Sequence, residues 1–169
     1  MLKKIKRIEA VSVFQSSSIT GYVLLKELSN DKTKIEVHVQ GLPPNKSLGF
    51  HIHEGGDLRC YGKDTPCQGA CAHYNPFKKH HGGPRSKEKH VGDLGNLRSD
   101  ANGNSTTTIT LSSVKLRGKY SVIGRSIVIH EKNDDLGKAG TEDSMKTGSS
   151  GARIACGVIG YTKDSLLYF

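Results

Sequence analysis

Seven of the eight histidines fall between positions 51 and 130. His51 and His53 stand two apart in a stretch of alternating polarity, Leu48-Gly49-Phe50-His51-Ile52-His53. In a strand such a pair projects from one face. Its Cα atoms are roughly 6–7 Å apart, close enough to share one metal ion. His73, His80, His81, His90 and Asp93 follow, and His130 ends a separate apolar run. A lone histidine on a sheet is usually a surface or hydrogen-bonded residue. A strand pair, several further imidazoles and a nearby carboxylate point instead to metal ligation. Imidazoles without thiolates suit copper(II), zinc, nickel or iron rather than an iron–sulfur cluster. Histidines joined by Asp93 suit a closed tetrahedral zinc site, and histidines alone a tetragonal copper(II) site.

The elements that must position these side chains read as strands. Residues 8–14 are strand-like, with apolar groups at both parities, so both faces are expected to be covered. Val11 and Val13 lie opposite Ile8, Ala10 and Phe14, which leaves two readings: a core face and a subunit-contact face, or both faces buried within one subunit. Residues 34–40 alternate, with Ile35, Val37 and Val39 on one face and Lys34, Glu36, His38 and Gln40 on the other. Gly41-Leu-Pro-Pro44 breaks that strand, and Asp100-Ala-Asn-Gly103 is a turn before the β-rich run 106–111. Residues 121–130 and 153–161 are two more β-type runs. No stretch shows a helical 3.6-residue repeat. Residues 54–96 and 131–152 lack strand pattern, and loops of that length in a compact domain are usually functional.

The length of 169 residues supports one domain, 1–169, with a single core. Trp is absent and aromatics make up 6%, so Val, Ile and Leu must fill that core. No apolar run approaches the roughly 18 residues of a membrane span. The start Met1-Leu-Lys-Lys-Ile-Lys-Arg7 is basic, but no apolar h-region follows, so a cytoplasmic setting is expected. The net charge of +9 leaves three readings: a polyanion partner, steering of a small anion, or solubility alone. The basic start lacks the interleaved aromatics of a nucleic-acid surface, so nucleic acid or another polyanion is not an expected partner. Cys60, Cys67, Cys71 and Cys156 allow three pairings.

Several segments together resemble copper–zinc superoxide dismutase. They are Gly49-Phe-His-Ile-His-Glu54, Ala72-His-Tyr-Asn-Pro76, His81-Gly-Gly-Pro84, His90-Val-Gly-Asp-Leu-Gly-Asn96, Ile123 to Lys132, Asp134-Asp-Leu-Gly137 and Gly151 to Gly160. The resemblance runs from about residue 8 to residue 161 in family order and leaves 1–7 and 162–169 outside. It implies an all-β, eight-stranded antiparallel Greek-key sandwich or barrel with two long ordered loops. Copper would be held by His51, His53, His73 and His130, and zinc by His73, His81, His90 and Asp93. Asp134 would join His51 to His81 behind the metals. Cys67 and Cys156 would form the intrasubunit disulfide. Arg153 would dock superoxide beside the copper, and His73 would release copper and take up a proton when the metal is reduced. Lys146, Glu142 and Asp143 would shape the field at the channel mouth, Asp143 standing where the family usually has Glu. A homodimer with contacts in Gly157-Val-Ile-Gly160, and a copper chaperone as donor, complete the implication.

Two features depart from the family pattern. The segment between His53 and Cys67 is several residues longer than usual, and it brings in Cys60, with Cys71 further on; a second bridge between these two is an open expectation. His38 reads as a surface residue. His80 reads as solvent-exposed, although a register slip of one residue would make it the ligand in place of His81. The competing classes are a copper-delivery protein and a basic polyanion binder. The chain has no Cys-x-x-Cys copper motif for the first and no nucleic-acid motif for the second.

Overall fold

The alternating runs become strands that close on a common aliphatic interior. The structure is a computed structural model that describes residues 7–59 and 66–167. Eight strands are present: β1 (Glu9–Gln15), β2 (Thr20–Glu27), β3 (Thr33–Gln40), β4 (Ser47–His53), β5 (Asp93–Arg98), β6 (Ser105–Leu111), β7 (Ser126–His130) and β8 (Arg153–Tyr161). They pair antiparallel in the order β5-β4-β7-β8-β1-β2-β3-β6. The sheet curls into a nearly closed barrel, its edge strands β5 and β6 approaching each other. Crossovers between β3 and β4 and between β6 and β7 make the connectivity a Greek key. Phe14 and Phe50 fill the interior with branched aliphatics such as Val23, Leu25, Ile35, Leu48, Leu97, Ile127 and Ile129, all essentially fully buried.

The clearest sequence alternation has a direct structural reading. Along β4, Leu48, Phe50 and Ile52 enter this core, while His51 and His53 point the other way. That second face is buried too, because the two long loops lie over it. The first loop docks by backbone hydrogen bonds: Ile52 N–H donates to Gly92 O (2.8 Å), Tyr74 N–H to Ile52 O (2.8 Å) and Gly92 N–H to Tyr74 O (3.0 Å). A Cβ at position 92 would sit 2.1 Å from Ile52 O, so only glycine permits this approach.

Some details differ from the sequence reading. The first loop ends at residue 92 rather than 96, because Asp93–Arg98 is β5. β2 escaped the polarity pattern because its outer face carries half-exposed apolar residues, which blur the alternation. The run 121–130 is strand only from Ser126; residues before it form a turn. Among the described residues there are two short α-helices, α1 (Glu142–Thr147) and α2 (Lys163–Leu166), too brief to show a 3.6-residue repeat. Val13 is 47% exposed, whereas Ala10, Ser12 and Phe14 on the other parity of β1 are buried.

Candidate metal centre

The hydrogen-bonding of β4 to β7 sets the first group of imidazoles. His51 pairs with Val128, and His130 lies two residues further along β7 on the same face. The isolated bridge between His53 and His73 adds a third element. One ring nitrogen from each of His51, His53, His73 and His130 lies within 4.8 Å of the others, and all four residues are buried. A second group has the same compactness: His73, His81, His90 and Asp93. His73 belongs to both.

The ring nitrogens turned outward from these groups are already engaged, which fixes what the inward ones present. His53 Nδ1–H donates to Cys71 O (2.9 Å) and His130 Nδ1–H to Gly151 O (3.0 Å). Their Nε2 atoms then face each other at 3.2 Å, lone pair against lone pair. His51 Nε2–H donates to Asp134 Oδ2 (2.8 Å) and His81 Nε2–H to Asp134 Oδ1 (2.8 Å). The inward atoms His51 Nδ1, His73 Nε2 and His90 Nδ1 are buried without a hydrogen-bond partner. His90 Nδ1 is 3.2 Å from Asp93 Oδ1, though not in hydrogen-bonding geometry. Buried polar atoms are ordinarily satisfied, so convergent orphans need a further partner.

Asp93 is oriented by the backbone. Its Oδ2 accepts Gly82 N–H (2.9 Å) and His90 N–H (2.8 Å). Its Oδ1 is left facing the Nδ1 atoms of His73 (3.3 Å), His81 (2.9 Å) and His90 (3.2 Å). Three imidazole nitrogens converge on one carboxylate oxygen, which pairs with only those of His73 and His81, a conflict that leaves His90 Nδ1 buried without a partner. A cation among the four atoms resolves the conflict. The donor sets fit known preferences: three nitrogens and one carboxylate oxygen for tetrahedral zinc, four imidazoles for copper.

The electrostatics agree. Burial disfavours the charged imidazolium and lowers His51 to about 4, His73 to about 3 and His130 to about 4, while His53 lies well below its ordinary value for the same reason. These four are neutral near pH 7, as ligands must be. Burial also opposes charge on His81, but the carboxylates of Asp134 and Asp93 outweigh it and raise the group to about 9. Burial pushes Asp93 upward, yet its three histidine neighbours hold it far below the carboxylate range. The second group therefore attracts positive charge.

Asp134 is itself clamped. Its N–H donates to Asn96 Oδ1 (2.8 Å), and its carbonyl accepts Asn96 Nδ2–H (2.9 Å). Gly148, at φ +68°, ends α1 beside it; a Cβ there would sit 1.9 Å from Asp134 Oδ1 and 2.5 Å from His81 Nε2. The pattern of the sequence singled out neither Asn96 nor Gly148, because their roles depend on contacts far apart in the chain.

The imidazoles of His53, His73 and His130 form the base of an open cleft of about 580 Å³. Arg153, Lys146, Thr147, Asp143, Lys79 and His80 are among its lining residues. Arg153 is half-buried and pinned by backbone carbonyls: Nη1–H donates to Cys67 O (2.6 Å) and Gln68 O (3.2 Å), Nη2–H to Cys71 O. The Cys67–Cys156 disulfide ties that segment to β8, which also carries Arg153. α1 places Lys146 by an N-cap, Ser144 N–H to Thr141 Oγ1 (3.1 Å), with Glu142 and Asp143 in its first turn. Lys146 is ion-paired to Glu142 at 2.6 Å. His80 is exposed and His81 buried, so the ring in the second group is that of His81. Among the described residues Cys71 is a free, exposed thiol whose Sγ–H points to Gly69 O (3.4 Å); Cys60, its expected bridge partner, lies outside the described residues.

The family model described as copper/zinc superoxide dismutase matches residues 19–159. The chain is 48% identical over 160 residues to the copper–zinc superoxide dismutase of Paramecium bursaria Chlorella virus 1, spanning 95% of this chain and 82% of that one. It is 49% identical over 157 residues to the Candida glabrata enzyme (92% and 99% of the two chains) and 45% identical over 157 residues to that of Saccharomyces cerevisiae, with the same coverage. A solved structure of the clock protein EA4 superposes with a TM-score of 0.85 at 38% identity, spanning 96% of this chain and all of that one.

Proposed function

The chain belongs to the copper/zinc superoxide dismutase family, and from that premise we propose how its own residues carry the activity. The reaction takes two superoxide anions and two protons to dioxygen and hydrogen peroxide. His51, His53, His73 and His130 hold the copper; His73, His81, His90 and Asp93 hold the zinc. Bound copper supplies the one-electron couple, and zinc, a d10 ion, supplies fixed charge without redox chemistry. The observation that carries this assignment is the convergence of partnerless ring nitrogens at the base of a cleft beside Arg153.

Arg153 presents a permanent charge and a planar set of donors to a small oxyanion. Its carbonyl partners hold it at the cleft wall and leave its remaining N–H groups for substrate. His73 Nε2, buried and without a partner, is the atom that holds a proton at the base of the cleft and passes it to the forming peroxide. Its Nδ1, facing Asp93 Oδ1 at 3.3 Å, would be committed to the zinc group, so that the ring stays neutral with a proton on Nε2. Asp134 accepts the Nε2–H of His51 and of His81, which turns the Nδ1 of each ring inward and leaves that of neutral His51 unprotonated. Glu142, Asp143 and Lys146 shape the field on one helix of the rim.

The same reading takes residues 1–169 as one domain acting in the cytoplasm as a homodimer, loaded by a copper chaperone. Exposed Val13 on β1 and Val158 on β8 (40% exposed), on adjacent strands, support an apolar subunit contact. Among the described residues no helix is long and apolar enough to cross a membrane.

The test is superoxide consumption by protein with verified copper and zinc content, alongside Arg153→Ala. The native chain is expected to accelerate dismutation strongly, and the variant to lose about tenfold or more with metal content unchanged. A loaded native chain that leaves the spontaneous rate unaltered sinks the assignment.

A further inference from the structure

Lys146 is the rim cation that the sequence singles out, yet its ammonium is 2.6 Å from Glu142 and 68% of its side chain is exposed. An anion arriving there meets a pair of nearly zero net charge. Lys79 also lines the cleft. It is exposed and, among the described residues, carries no ion pair. Its backbone is held rigidly: Asn75 Nδ2–H donates to Lys79 O (2.7 Å) and Lys79 N–H to Asn75 Oδ1 (3.0 Å). This clasp closes a tight turn in which Lys78 adopts φ +52°. The same turn continues through His80 into His81, so the Lys79 position is fixed relative to the buried imidazoles.

We propose that Lys79, clasped by Asn75 at the rim of the cleft, is a principal guiding cation for the anionic substrate, acting together with Arg153. The inference rests on the dismutase reading of the preceding section. An uncompensated charge about 8 Å from an anion's path in water alters the encounter rate about two- to threefold; salt near 0.1 M, with a Debye length of about 10 Å, about halves that interaction energy, and salt near 1 M, with about 3 Å, removes nearly all of it. The residue acts on the approach of the anion and not on the metals, so it leaves metal content untouched.

The experiment compares the fully metallated native protein with Lys79→Gln, Lys79→Glu, Lys79→Arg, Lys146→Gln and the control Lys78→Gln, at low and high ionic strength. Two quantities are read: the second-order rate of superoxide consumption, and the affinity for azide, a non-reacting monoanion, followed by copper absorbance. Lys79→Gln is expected to lower the low-salt rate about two- to threefold and Lys79→Glu about five- to sixfold, with azide affinity falling in parallel. The difference from the native chain should vanish at high salt. Lys79→Arg should restore both readings, and Lys146→Gln and Lys78→Gln should lower them less than Lys79→Gln. A native-like rate, salt slope and azide affinity in Lys79→Glu overturns the proposal. A native chain that is fully loaded yet does not consume superoxide overturns the dismutase reading instead.

Discussion

Asp134 determines how two histidines present themselves. Each of its oxygens accepts one imidazole N–H, from His51 and from His81, which turns the Nδ1 of each ring inward and leaves that of neutral His51 unprotonated. The carboxylate can stand there only because residue 148 has no side chain. Gly148→Ala puts a methyl group onto Asp134 Oδ1 and His81 Nε2, and it also places alanine at a positive φ. It is expected to weaken zinc binding about 10- to 100-fold, the usual effect of disturbing a partner behind a metal ligand. Competition with a calibrated chelator measures this directly. Unchanged zinc affinity would remove Asp134 from the support of the zinc group. Asp134 was legible through family resemblance, whereas Gly148 was not: its constraint arises from a contact with a residue fourteen positions away, which no local pattern encodes.

At the scale of elements, the two long loops are what make β4 unusual. A strand with one face in the core normally shows water its other face. Here that face holds His51 and His53 and is covered by the described residues of the loop that ends at 92 and by residues 131–152. The alternation from Leu48 to His53 was readable because side-chain period and burial coincide. The support of Arg153 was not readable, because its partners are backbone carbonyls of residues 67, 68 and 71, and a carbonyl carries no residue identity. Those carbonyls are held in place by the Cys67–Cys156 disulfide, which spans 89 positions. Cys156→Ser is expected to cost about 2–5 kcal/mol of stability in the chain-entropy account. It should also lower the rate of superoxide consumption at full metal loading, because the carbonyl arc behind Arg153 loosens. Thermal unfolding and the turnover of the loaded variant check the two effects separately. Loss of stability with native turnover would show that the arc holds its shape without the bridge.

The whole molecule combines a net charge of +9 with a metal cleft that must admit a monoanion. The barrel topology itself was foreshadowed by strand runs and turn residues. β2 and β5 were hidden, the first by apolar residues on its outer face and the second by its six-residue length with Gly95 inside. The outer side of β1 and β8 carries Val13 and Val158 at 47% and 40% exposure. A subunit contact there predicts a dimer in sedimentation equilibrium at micromolar concentration, and Val158→Lys should shift it toward monomer while metal content stays native. A native chain that sediments as a monomer would assign those valines to exposed surface only.

The central claim is that one imidazole, that of His73, serves both metal groups. Replacing zinc by cobalt(II) in the copper-loaded protein tests it through the copper(II) electron paramagnetic resonance signal. Two paramagnetic ions joined through the His73 ring couple magnetically, so the copper signal of the copper–cobalt protein should be strongly suppressed and should reappear in His73→Gln. An undiminished copper signal in the native copper–cobalt protein, with one of each metal per chain verified, would mean that the two sites do not share His73.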